Sequence, residues 1–172
     1  MSNVLHTADW HIDHENILKF RQLDVTTVEE HNTLIFDNYN DMIGKNDLVY
    51  FHGDILFSKN HLDTLKKLPG RKILILGNHC RDKSIRPTIL DLIQVFDDIQ
   101  GITKHKRTWL THAPVHEDEL RGCMNIHGHT HNHFIDNPMY LNVCLEHWNM
   151  KPVAREELLK EWECVKGVWR KK

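Results

Sequence analysis

The sequence predicts an α/β fold, and three observations carry the prediction. Short apolar runs alternate with amphipathic stretches through the first half of the chain. Each apolar run passes at once into polar residues. In the second half, several apolar runs follow one another closely, with turn signals between them. "NVLHTAD" (3–9) reads as a short buried strand. Residues 26–43 read as a helix, with Thr26 and Glu29 as a capping box and Val28, Leu34, Ile35, Met42 and Ile43 as a partial apolar face. "GKND" (44–47) is a turn, and "LVYFHGD" (48–54) a second strand. Ser58 is placed to cap a short helix through Leu68, which Pro69 and Gly70 stop. "KILILGNH" (72–79) is a uniformly apolar third strand.

Strand, helix, strand, helix, strand predicts a partly parallel sheet buried on both faces. A helix near 84–93 comes next. Residues 95–114 read as successive strands joined by tight turns, 124–128 and 139–145 add two more, and 153–162 form a late helix. No linker, repeat or low-complexity segment divides the chain, so residues 1–172 are expected to form a single domain.

Hydrophobic residues make up 40% and charged residues 27%, a globular rather than a disordered balance. The net charge of −2 argues against broad, non-specific nucleic-acid binding. The basic clusters "KHKR" (104–107) and "WRKK" (169–172) read as solvated surface. Cys80, Cys123, Cys144 and Cys164 form no CxxC pair, which argues against a thiolate zinc site and for reduced thiols. No apolar run has transmembrane length, and the N-terminus lacks the layout of a signal peptide. A cytoplasmic protein without a membrane association or an obligate protein partner is expected.

Histidine is the outlying residue type, with 15 copies. Scattered surface histidines explain some of them. They do not explain histidines set beside Asp and Gly at strand ends. Five polar clusters follow five predicted strands: Asp9-Trp10-His11, Gly53-Asp54, Gly77-Asn78-His79, Thr111-His112 and Gly128-His129-Thr130-His131. Each alone is weak. Together, in this order, they point to metal-ligand chemistry at the carboxyl ends of strands. The bland alternative is a set of satisfied core and turn residues.

The order D-x-H, G-D, G-N-H, H, G-H-x-H resembles that of the calcineurin-like metallophosphoesterase superfamily, and the likeness runs from Asp9 to His131. "DWHIDHENI" (9–17), "LPGRKILILGNH" (68–79) and "NIHGHTH" (125–131) look especially like its small stand-alone bacterial and phage-encoded phosphodiesterases. The resemblance implies a calcineurin-like four-layer arrangement, two mixed β-sheets packed as a sandwich and flanked by helices. It implies two divalent ions, with Mn2+ favoured and Fe, Zn2+ or Ni2+ as alternatives. Asp9, His11, Asp54 and His131 would hold the first ion, and Asp54, Asn78, His112 and His129 the second. Two cations roughly 3.5–4 Å apart need a shared anion, and Asp54 matches the bridging carboxylate. His79 would be the general acid or phosphate stabiliser. His14 and Asn16 either line the phosphate pocket or cap a helix beginning near Glu15. The sequence departs from the common pattern in two places: Phe57 stands at a second acidic position, and Cys80 follows His79 where an acid often orients that histidine.

Of the "HGHTHNH" histidines, His129 and His131 are the expected ligands, His127 a buried hydrogen-bonded neighbour and His133 a rim or surface residue. Trp10 is either a pocket wall or core. The expected function is hydrolysis of nucleotide diesters such as 2′,3′-cyclic phosphates by a metal-bridging hydroxide. A nuclease acting on RNA or DNA ends, a phosphomonoesterase, and a catalytically silent binding scaffold are the alternatives.

Overall fold

The computed structural model describes residues 2–80 and 85–169. The first sheet has the order β4-β3-β2-β1-β9, with β1 (Val4–Thr7), β2 (Leu48–His52), β3 (Arg71–Ile75), β4 (Asp98–Gln100) and β9 (Val153–Ala154). The second has the order β5-β6-β7-β8, with β5 (Thr103–His105), β6 (Thr108–Leu110), β7 (Met124–His127) and β8 (Tyr140–Asn142). Both sheets are mixed. β1 through β4 pair in parallel while β9 runs antiparallel to β1; β6, β7 and β8 pair in parallel while β5 runs antiparallel to β6. Five helices are described: α1 (Val28–Met42), α2 (Leu62–Lys67), α3 (Ile89–Leu92), α4 (Glu117–Leu120) and α5 (Arg155–Trp169). None is long and apolar enough to cross a membrane.

The alternation of side chains along a strand sorts the core. Leu5, Val49, Phe51 and Leu74 face one way and pack with Ile35 and Tyr39 of α1 and Leu65 of α2. Tyr50, Ile73 and Ile75 face the other way and pack with Leu110, Ile126 and Leu141 of the second sheet. The first sheet is therefore buried on both faces, as its unbroken apolar runs require. Trp10 belongs to the first of these clusters. Its ring is fully buried against Phe36, Tyr39 and Phe51, and its Nε1 donates to Thr7 Oγ1 at 2.6 Å, so it is core and not a pocket wall.

Several local expectations shift. The α1 cap is Thr27 with Glu30, one residue later than expected, because Thr27 takes the extended backbone a cap needs (φ −125°, ψ 158°). Ser58 caps no helix; its hydroxyl donates to the Asp13 carboxylate, and α2 begins only at Leu62. Val153 and Ala154, expected in the last helix, instead pair with β1. α3 begins at Ile89 with Thr88 and Asp91 as its capping box, and the expected helix start at Ser84 lies outside the described residues. The last three residues of "WRKK" also lie outside them.

Because β1, β2 and β3 are parallel, their carboxyl ends meet at one edge, as do those of β6 and β7. Within each set, main-chain bonds join neighbouring strand ends. Asp9 N–H donates to the Gly53 carbonyl at 3.1 Å, His11 N–H to the Asp54 carbonyl at 3.1 Å, and Gly128 N–H to the His112 carbonyl at 2.8 Å.

Candidate metal centre

Five loops leave those strand ends, and they deliver seven predicted ligands. Asp9, His11 and His131 come together in one group, and Asp54, His112 and His129 in another; within each, the candidate ligand atoms lie within 4.8 Å of one another. Asn78 joins the second group, its Oδ1 standing 2.7 Å from His112 Nε2. The two groups share a wall, since His129 N–H donates to Asp9 Oδ2 at 2.7 Å.

The backbone at these positions is unusual. Asp9 (φ 56°), His11 (φ 54°), Asp54 (φ 54°), His129 (φ 70°) and His131 (φ 46°) all occupy the left-handed region. They are five of the ten non-glycine residues found there among the described residues. Asp and His tolerate this region better than most residues, but each instance costs energy that the surroundings must hold in place. Close main-chain approach does part of the holding. A Cβ at Gly77 would collide with Asp54 Oδ1 and come within 2.7 Å of the Asp54 nitrogen. One at Gly128 would sit 2.5 Å from Asp9 Oδ2 and 2.9 Å from the His52 carbonyl.

The polar atoms inside the groups are poorly satisfied by the protein. Both ring nitrogens of His11 and Asp9 Oδ1 are buried without a hydrogen bond, and His11 Nε2 stands 3.6 Å from Asp9 Oδ1. His112 Nε2 faces His129 Nδ1 at 3.2 Å and Asp54 Oδ2 at 3.3 Å. Buried donors and acceptors left this way are costly unless something else completes them. The donor set is nitrogen and oxygen, which suits Mn2+, Fe, Zn2+ or Ni2+. Cys144 is near but is not a thiolate ligand. Burial first, and then the Asp9 and Glu146 carboxylates, push its thiol far up, and Sγ donates to Asp9 Oδ2 at 3.2 Å. These residues fit a pair of divalent cations.

Electrostatics point the same way. Burial pushes the carboxyls of Asp9 and Asp54 up, but neighbouring histidines and, for Asp54, the His79 N–H outweigh it, so both stay below the usual aspartate range. His11 and His129 are held low, mainly by burial. His112 is raised: burial opposes this, and Asp54 and Asp9 overcome it. His131 is raised, first by Glu146.

The remaining predicted residues take varied places. His79 donates its backbone N–H to Asp54 Oδ1 at 2.8 Å, and its half-buried ring lies 6.5 Å from that of His11. Cys80 is a buried free thiol whose sulfur accepts from Gly77 N–H, and burial pushes it up to about 11. Phe57, at the expected acidic position, stacks on His11 at 4.7 Å, with the Arg86 guanidinium 3.8 Å above its ring. His14 lines a cleft of about 450 Å³ beside His11, Ile17, Phe20 and His131. Asn16 does not line it. It precedes a 3₁₀ turn (Ile17–Lys19) without capping it, and its exposed Oδ1 accepts from Lys19 Nζ at 2.6 Å. His127 is buried and bonded to the Gly128 carbonyl, and His133 is exposed at the cleft rim. Sequence reasoning missed Arg21 and Glu146, which lie behind the first group, 125 positions apart in the chain. Nothing local in either segment signals the pairing.

No protein-family model matches the chain. A crystal structure of a protein of unknown function from Aquifex aeolicus is similar, with a TM-score of 0.74 and 27% identity over 93% of this chain and 99% of that one. The gene 66 protein of Mycobacterium phage L5 is 28% identical over 92% of this chain and 93% of its own length. An uncharacterized protein of Methanocaldococcus jannaschii is 31% identical over 98% of this chain and 96% of its own length. With similarity at that level along essentially the whole of both chains, this protein belongs to the same family as the Methanocaldococcus jannaschii protein.

Proposed function

We propose that the chain is a two-metal phosphoesterase of the calcineurin-like metallophosphoesterase type, with its two mixed sheets as that superfamily's layered sandwich, and that it prefers phosphodiesters of nucleotides. One observation carries the reading: two adjacent Asp/His groups built on five strand-end loops, with buried ligand atoms that the protein leaves unsatisfied. Asp9, His11 and His131 would hold one ion, and Asn78, His112 and His129 the other, with Asp54 shared between them. Two bound ions would supply Lewis-acid charge to the phosphoryl oxygens and acidify a water near neutral pH.

The chain's own groups supply the rest. The His79 N–H fixes the Asp54 carboxylate, and its ring is the proposed proton donor to the leaving oxygen. Phe57 stacks on His11 and packs at a tilt against His14, which holds both imidazoles where a second acid would otherwise stand. The cleft beside His11 and His131 has room for an organic arm beyond the phosphate, which supports a diester over a monoester. The test is hydrolysis of bis-p-nitrophenyl phosphate by metal-free protein resupplied with Mn2+, compared with p-nitrophenyl phosphate. Turnover of the diester, faster than that of the monoester, is expected. No turnover with any divalent cation would leave only a binding scaffold.

A further inference from the structure

Behind the first group of ligands lies a buried ionic pair. Glu146 and Arg21 have side chains only 6% and 1% exposed, and Arg21 Nε donates to Glu146 Oε1 at 2.7 Å. The same oxygen accepts from His131 Nδ1 at 2.8 Å. With Nδ1 so engaged, His131 turns Nε2 toward Asp9 Oδ1, 3.9 Å away. Arg21 has a second hold on the group, because its Nη2 donates to the backbone carbonyl of Asp9 and its Nη1 to that of Trp10 at 3.2 Å. One guanidinium therefore grips the main chain of one ligand directly and the ring of another through a carboxylate.

A purely structural ion pair is the competing explanation. Buried pairs are weak contributors to stability, because desolvation offsets the attraction. This one is also imperfectly satisfied, since Glu146 Oε2 is buried without a hydrogen bond. A feature of that kind is better accounted for by what it orients. The outer ring nitrogen of a metal-bound histidine commonly bonds a carboxylate, which fixes the tautomer and strengthens the ligand. The His131 main chain is fixed as well: its carbonyl accepts from Asn142 Nδ2 at 2.9 Å, and His147 Nε2 lies 2.7 Å from the same oxygen.

We infer that Glu146, clamped by Arg21, is a positioning residue that sets the cation affinity of the Asp9–His11–His131 group without touching the ion. The inference rests on reading that group as a cation site. It assigns the two cation positions different means of support, because His112, in the other group, has its outer Nδ1 held by a main-chain group, the His52 carbonyl, at 2.7 Å.

The experiment is Mn2+ binding to metal-free protein, followed by calorimetry and by the electron-paramagnetic signal of free Mn2+. Wild type should take up two ions. Glu146→Ala should weaken one of them roughly 10–100-fold and leave the other within about twofold. Glu146→Gln keeps the shape and an accepting oxygen, and should recover part of the loss. If Glu146→Ala fails to fold, Glu146→Gln alone decides, with a loss confined to one ion expected. Nitrogen-detected NMR of the metal-free proteins gives a readout independent of metal: His131 should carry its proton on Nδ1 in wild type and lose that preference in Glu146→Ala. Two wild-type-like affinities in the variants would overturn the inference and leave the two-ion reading standing. Equal weakening of both ions with a lowered urea midpoint would reduce Glu146 to a structural role. No Mn2+ uptake by wild type would end the two-ion reading itself, and this inference with it.

Discussion

Behind His131 stands a carboxylate, itself gripped by an arginine; behind His112 stands the carbonyl of His52. The difference runs through the whole centre. The Asp9–His11–His131 group is supported by buried charged side chains that arrive from a loop and a 3₁₀ turn (Leu145–Trp148). The group around Asp54 and His112 is supported by main chain: the His79 N–H on Asp54, the His52 carbonyl on His112, and the glycine backbone at Gly77 pressed against the Asp54 carboxylate. Main-chain support comes with the sheet, whereas side-chain support depends on two residues finding each other across the sequence. The second group should thus survive local damage that the first does not.

Asp54→Ala is the largest perturbation, because it tests whether the two groups are separate at all. A shared carboxylate requires both ions and all activity to be lost together, read as metal content and diester turnover in the same preparation. Asp9→Ala, by contrast, should lose one ion first. An Asp54→Ala protein that kept one ion and normal turnover would make the groups independent and remove the bridge. His79→Ala comes next. It should keep both ions and slow turnover roughly 10²–10⁴-fold for alkoxide leaving groups. The loss should shrink for p-nitrophenolate, which needs no proton. Equal losses for both leaving groups would take the acid role from His79.

Gly77→Ala probes the main-chain support on its own. Its Cβ has no space beside Asp54, so the carboxylate or the loop must move, at a cost of about 1–3 kcal/mol in stability. Because Asp54 is shared, Mn2+ affinity should fall roughly tenfold or more at both positions, whereas changing Glu146 weakens only one. A loss from Gly77→Ala confined to the one position that changing Glu146 also weakens would erase the distinction between the two kinds of support.

The sequence disclosed the second group more fully than the first, for the same physical reason. Gly53-Asp54, Gly77-Asn78-His79 and Gly128-His129 are contiguous stretches in which a glycine precedes a ligand, so the motif is visible in the sequence even though the side chain each glycine makes room for comes from another loop: His112 for Gly53, Asp54 for Gly77 and Asp9 for Gly128. The parallel β1-β2-β3 order was legible from unbroken apolar runs, since a strand buried on both faces has no polar alternation to show. Glu146 and Arg21 were not legible. Each is one charged residue in an irregular segment, and only the folded chain brings them together. β9 was missed because two residues cannot show a period, and Val153 and Ala154 precede a helical pattern that absorbs them. Asn16 next to His14 looked like site or cap; it makes no cap and does not line the cleft, and the turn that follows is a single 3₁₀ turn whose exposed start leaves its side chain to Lys19.

The smallest expected effect is on stability in mild acid. His6 and His31 are fully buried. Burial is the main cause that holds both imidazoles below their ordinary value. His52 adds to this for His6, and Arg21 for His31, which is brought down to about 4. Both are therefore neutral in the folded protein while the unfolded chain can still protonate them. Between the folded and unfolded values the unfolded state binds more protons, so stability is fully present above about pH 6.5 and is lost as pH falls below it, for His31 down to about 4, at about 1.4 kcal/mol per pH unit for each such histidine. Urea midpoints of metal-free protein should decline accordingly between about pH 7 and about pH 5. His31 Nε2 lies 2.7 Å from Arg21 Nη1, so His31→Gln, which keeps an acceptor there, should make the decline shallower by about one proton. A slope unchanged by that substitution would mean that His31 is not among the groups that acid must charge. Protonating His31 sets a cation against the arginine that holds Asp9 and Glu146, so acid reaches the first group through its support. Acid has a parallel route to the second group: His52, whose carbonyl holds the outer nitrogen of His112, is itself brought down to about 4, chiefly by burial, and its Nε2 lies 3.0 Å from His6 Nδ1.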